Sequence, residues 1–93
     1  MHLIQQEQNT SKGSFYILVD GERLAEMTYS RAGEHMMIID HTDVSDKLRG
    51  QGVGKQLVEH AVEYARTHSI RIMPLCPFAK SVFQKHKELR DVL

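Results

Sequence analysis

The sequence predicts an α/β fold of the α+β type, a mixed sheet in the order β-β-β-β-α-β-α. An antiparallel meander leads into one parallel crossover pair. Three observations carry that expectation. Strand-like runs, separated by glycine turns, fill the segment from Ser14 to Thr42. From Val53 the apolar spacing changes to that of a helix. A short apolar run from Ile70 to Leu75 then ends at Pro77.

Residues 3 to 8 read as a first, edge strand, followed by a turn over Asn9 to Gly13. Ser14 to Asp20 is rich in aromatic and β-branched side chains and closes on Asp20-Gly21, a tight-turn dipeptide. Arg23 to Ser30 places Ala25, Met27 and Tyr29 on one face and Leu24, Glu26 and Thr28 on the other. A turn at Arg31-Ala32-Gly33 enters His35 to Thr42, where Met36 and Ile38 oppose Met37 and Ile39. Met27, Met36 and Met37 read as core filling. Val53, Leu57, Val58, Ala61, Val62 and Ala65 form one stripe on a helix ending near Thr67, with Lys55, Glu59, Glu63 and Arg66 outside it. Pro77 suits the first turn of a final helix, buried through Phe78, Val82 and Phe83. Strand, helix and strand between residues 35 and 75 should form a right-handed crossover with parallel strands.

A chain of 93 residues, 41% hydrophobic and 26% charged, suffices for one compact core, so a single domain over 1–93 is expected. No apolar run approaches the ~18 residues of a membrane span. The first residues lack the basic head and apolar stretch of a secretory leader. One cysteine rules out an internal disulfide framework and a cysteine-only zinc site. The expected setting is cytoplasmic, without membrane. Zero net charge argues against a general nucleic-acid binder, whose affinity comes from uncompensated cations. The charge is nevertheless divided. Residues 1–46 hold three basic and eight acidic side chains, a balance of −5, and residues 47–93 hold nine and four, a balance of +5. That polarity suits an anionic ligand on the C-terminal half.

The segment with chemical content runs from Val44 to Lys55. Gly50, Gly52 and Gly54 alternate at the opening of the long helix. They let the backbone pass close to a ligand and leave successive amides pointing outward at the positive end of the helix dipole. Arg49 and Lys55 add positive charge on either side. Two familiar phosphate motifs fail on spacing. A P-loop needs glycine where Arg49 stands and Ser or Thr where Gln56 stands. A dinucleotide fingerprint needs glycine at Lys55. What remains is Arg-x-x-Gly-x-Gly, Arg49 to Gly54.

That motif resembles the acetyl-coenzyme A pyrophosphate loop of the GNAT acetyltransferase superfamily. From about Gly13 to Lys87 the chain is similar to the minimal members, through Asp40-His41-Thr42 and Pro74-Leu75-Cys76-Pro77-Phe78. The resemblance implies a truncated GNAT fold and an N-acetyltransferase that uses acetyl-coenzyme A on an amine acceptor, small or a protein lysine. It implies that the fourth and fifth strands splay, with the pantetheine arm pairing along the backbone of Thr42, Asp43 and Val44 as an added strand. Amides of Arg49, Gly50, Gln51, Gly52, Val53, Gly54 and Lys55, following Leu48, would hold the pyrophosphate. Lys80, Ser81 and Lys85 on the last helix would lie near the far phosphate.

His41 and Cys76 fall at the C-terminal ends of the two parallel strands, where crossover folds place ligands. Cys76 precedes a helix whose N-terminus lowers a thiol's pKa, so a thiolate there would take the acetyl group as an enzyme intermediate. An imidazole titrates near neutrality, and His41 would deprotonate Cys76 or the acceptor amine. No metal is expected. His60 and His68 are eight apart, and strand alternation turns Asp40 and Asp43 away from His41 or to separate positions. His86-Lys87 reads as surface. An exposed sheet edge leaves room for a dimer.

Three departures from the full family pattern matter. Only a turn fits where two helices usually join the first two strands. Too few residues follow Lys87 for the usual last two strands. Gln84 stands after Phe83 where many members carry a tyrosine acid. These leave the acceptor side open and keep a non-catalytic coenzyme A-binding or sensing module as the alternative reading. A small scaffold protein is the third.

Overall fold

The computed structural model describes residues 2–93. Five strands form one sheet in chain order: β1 (Gln5–Gln8), β2 (Lys12–Val19), β3 (Glu22–Arg31), β4 (Met36–Val44) and β5 (Arg71–Pro74). The first four pair antiparallel, and β5 runs parallel to β4. Helix α1 (Val53–His68) makes the crossover and α2 (Pro77–Lys85) follows β5. The expected β-β-β-β-α-β-α order is the observed one. Among the described residues no helix is long and apolar enough to cross a membrane.

Both helices lie on one face of the sheet. Phe15, Met27, Tyr29, Met37 and Ile39 pack there against Leu57, Val58, Ala61 and Val62 of α1, all fully buried or nearly so. Cross-strand partners point to the same face, and Gly13↔Tyr29, Phe15↔Met27 and Tyr29↔Ile39 keep this set together. Gly13 is required by close packing, since a Cβ there would lie 2.5 Å from the Tyr29 ring. The Tyr29 hydroxyl donates to Gln8 Oε1 at 2.8 Å and accepts from Gln6 Nε2 at 2.7 Å, which binds β1 to β3 across β2.

Several boundaries and faces differ from the sequence reading. β1 and β5 are shorter than expected, and β4 continues two residues further, to Val44. Met36 is half-buried beside Ile38 on the uncovered face, whereas Met27 and Met37 are core. Phe78 is 41% exposed rather than core. A terminal 3₁₀ segment, Lys87–Val92, buries Leu89 and Val92. The Arg66 guanidinium clamps it by donating to Asp91 Oδ1 and Oδ2, at 2.7 and 2.9 Å, and to the Glu88 carbonyl at 2.7 Å.

Candidate functional site

The β4–β5 ladder ends at Ile39↔Pro74. The Ile39 carbonyl still accepts the amides of Leu75 and Cys76, at 2.9 and 3.2 Å, and then the chains part. β4 stays paired with β3 as far as Ala25↔Val44, so from Asp40 onward its other edge has no strand beside it. Into this opening faces a cleft of about 480 Å³ between β4, the N-terminus of α1, and α2.

The bend that closes the cleft is built from local chemistry. Ser45 caps a 3₁₀ turn, Asp46–Leu48, its hydroxyl accepting from the Lys47 amide at 3.2 Å. Buried Leu48 anchors that turn to the core. Gly50 (φ 83°) and Gly52 (φ 68°) then occupy the left-handed region, which an L side chain enters at a cost of roughly 1–2 kcal/mol. Two amides of the bend are used internally: Arg49 donates to Asp46 O at 3.1 Å and Gln51 to Leu48 O at 3.3 Å. Among the described residues, no backbone carbonyl takes the amides of Gly50, Gly52, Val53, Gly54 or Lys55. Five donors therefore gather at the positive end of a 16-residue helix, with open space where Cβ atoms of Gly50 and Gly52 would stand.

Gly54 serves a different purpose. A Cβ there would meet the Phe78 ring at 2.5 Å, so its absence lets α2 lay that ring over the start of α1. Phe78, Ser81, Val82 and Lys85 share one helical face and form a cleft wall, continued by His86.

Cys76 is the N-cap residue of α2 and 6% exposed. Its Sγ lies 3.4 Å from Thr42 Oγ1. Burial pushes the thiol's pKa up, but hydrogen bonding from the Thr42 hydroxyl and the amides of Ala79, Phe78 and Thr42 outweighs burial and holds it below the ordinary value. Thr42 lines the cleft; Cys76 is not among the lining residues and touches one of them, Thr42.

The sequence profile of the family described as GCN5-related N-acetyl-transferase matches residues 14–92. The chain belongs to the GCN5-related N-acetyltransferase (GNAT) family. It is similar to a GCN5-like protein from Staphylococcus aureus, whose solution structure gives a TM-score of 0.72 at 42% identity, over 95% of this chain and 85% of that one. The protein NATD1 of Gallus gallus is 26% identical over 74 residues, covering 78% of this chain and 67% of the relative. A more distant likeness, of fold alone, is to a GNAT family acetyltransferase from Elizabethkingia anophelis with acetyl-CoA bound: TM-score 0.59, 17% identity, 69% of this chain and 42% of that one.

In this GNAT chain most of the expected cofactor residues do gather. Thr42, Val44, Leu48, Arg49, Gly50, Gly52, Val53, Gly54, Lys55, Ser81 and Lys85 all line the one cleft. Asp43, Gln51 and Lys80 do not. Asp43 stands opposite Glu26 on the other sheet face, leaving only main chain toward the cleft. Gln51 turns outward between the two left-handed glycines, and its Oε1 lies 2.8 Å from His2 Nε2. Lys80 lines a separate groove with Pro74 and Leu93. Phe78, Val82 and His86 were not expected in the cleft. The period connecting 78, 82 and 85 with Ser81 was the available signal. His41 is exposed and registers with Thr28 on the face away from the helices, so the strand turns it away from Thr42 and Cys76.

Proposed function

We propose that the cleft binds acetyl-coenzyme A and that the chain transfers its acetyl group to a primary amine through Cys76. The observation that carries this reading is the cluster of five unengaged amides beside an unpaired strand edge. The amides fit a diphosphate, and Arg49 and Lys55 flank them. The free β4 edge fits an amide-bearing arm that pairs as a strand does. Val44, Leu48, Val53, Phe78 and Val82 supply the apolar lining that such an arm needs. The acetyl-CoA bound to the Elizabethkingia anophelis neighbour supports the same reading. Ser81, Lys85 and His86, along the α2 wall, suit the phosphate at the far end.

When bound, the thioester supplies an activated acetyl group. Cys76, as thiolate, attacks the acetyl carbonyl carbon; the carbon–sulfur bond to coenzyme A breaks, and its thiolate leaves and takes up a proton. The amine then attacks acetyl-Cys76, restores the Cys76 thiolate, and gives its proton to water. His41, expected as the base for the thiol or the amine, stands on the opposite sheet face, and that placement supports neither role.

Intact-mass measurement after incubation with acetyl-coenzyme A tests the covalent step. The native chain gains one acetyl group, which an added amine discharges, and Cys76→Ala gains none. Amine acetylation that survives in Cys76→Ala at the native rate would contradict the covalent route and leave direct transfer. Coenzyme A binding without thioester consumption on any amine would favour the module reading, which Gln84, away from the cleft, and the low exposure of Cys76 suggest.

A further inference from the structure

Gln51 stands in the middle of the bend but does not line the cleft. Three hydrogen bonds nevertheless fix it, each from a different part of the chain. Its amide donates to the Leu48 carbonyl of the preceding turn at 3.3 Å. Its carbonyl accepts from Gln56 Nε2, in the first turn of α1, at 3.4 Å. Its Oε1 lies 2.8 Å from His2 Nε2, across 49 positions of sequence. A carboxamide oxygen only accepts, so the His2 ring is the donor in this pair. The segment that carries His2 is itself anchored, because Ile4 packs against the core just ahead of β1.

The bond from Gln56 acts on a diphosphate donor. In a trans peptide the N–H points opposite to the C=O of the same plane. Holding the Gln51 carbonyl toward Gln56 therefore turns the Gly52 amide the other way, where no backbone carbonyl takes it among the described residues. Gly50 and Gly52 have no side chains with which to hold these planes themselves. Gln56 is in turn poorly satisfied. Its Oε1 is enclosed and has no donor among the described residues, which is unfavourable for the fold. The one bond its side chain makes there is the bond to Gln51.

We propose that His2 and Gln56 are positioning residues for the diphosphate, acting through Gln51. His2 holds the side chain of Gln51 from the N-terminal segment, and Gln56 holds its carbonyl from α1. Between them they keep the amides of Gly50 and Gly52 turned outward before any ligand arrives. Donors set in advance need no ordering on binding, and the affinity gain lies there. This role rests on the coenzyme A reading of the cleft and adds to it two side chains outside the cleft wall.

Two ligands separate positioning of the bend from general stability: coenzyme A, followed by calorimetry, and pantetheine, which lacks the diphosphate, followed by amide resonances. His2→Ala weakens coenzyme A binding about threefold and leaves pantetheine binding unchanged. His2→Gln, which again offers an N–H to Gln51, restores the native affinity. Gln56→Met keeps the length and helix preference of the side chain but removes the enclosed oxygen. Its melting temperature is therefore no lower than the native one, while its coenzyme A affinity also falls about threefold. In the free protein, backbone order parameters at residues 50–52 are those of rigid chain, ~0.85, and they drop in His2→Ala and Gln56→Met. Native coenzyme A affinity in both variants overturns the proposal, as does an equal loss for coenzyme A and pantetheine. So does a His2→Gln variant no better than His2→Ala. A native chain that does not bind coenzyme A overturns the cleft reading instead, and the order parameters still decide whether Gln51 is held.

Discussion

Thr42 touches both the cleft and the Cys76 thiol, and a hydroxyl at this position has a consequence that can be measured. Burial alone would raise the thiol; the Thr42 hydroxyl and three backbone amides reverse that. Thr42→Val keeps the shape and the strand preference but removes one of those donors, so burial regains weight and the thiol titrates higher. The thiolate fraction at neutral pH then falls, and alkylation of Cys76 slows by ~3- to 10-fold, as one pKa unit is tenfold. The rate–pH profile checks the sign: the native inflection lies below that of free cysteine, and the variant's moves upward. An unmoved inflection would mean that the hydroxyl contributes nothing. Cys76 and His41 were both legible as strand-end residues. Their separation onto two faces was not, because the register shift between Thr28 and Tyr29 inserts Asp40 as an extra residue in β4.

At the scale of elements, the bend ahead of α1 is what the site depends on. Gly52 has open space around its absent Cβ, so an alanine there meets only backbone strain. Gly52→Ala should cost about 1 kcal/mol of stability in urea denaturation. It should also weaken coenzyme A binding about tenfold by calorimetry, because the strain is relieved by turning the bend and its amides away. A stability loss with unchanged Kd would show that the bend's left-handed geometry is not what presents the donors. The long helix was readable almost to the residue from its apolar stripe, as was α2 from Pro77. The orientation of α2 was not. An apolar count put Phe78 in the core, whereas the missing Cβ of Gly54 draws the ring over the start of α1 and into the cleft wall. The terminal 3₁₀ segment has no sequence period of its own. Leu89 and Val92 are buried by tertiary packing and by the Arg66 clamp on Asp91.

Over the whole molecule, the charge division visible in the composition takes on a direction. The basic C-terminal half supplies the cleft, with Arg49, Lys55 and Lys85 around it. The acidic N-terminal half supplies Glu7 and Glu26 to the bare face, and Asp40 and Asp43 join them there from the end of β4. The cleft with its cations and the face that carries these carboxylates thus lie on opposite sides of one sheet. The short β1–β2 connection leaves that second side uncovered. It was readable as a turn, but the charge pattern it exposes depends on cross-strand registers that no single strand reveals.

The direct test is a crystal of the chain soaked with coenzyme A. The diphosphate oxygens should sit within hydrogen-bond distance of the main-chain nitrogens between Gly50 and Lys55, with the pantetheine arm alongside β4. A diphosphate bound elsewhere, or those nitrogens left to solvent while the ligand is ordered, would contradict the account.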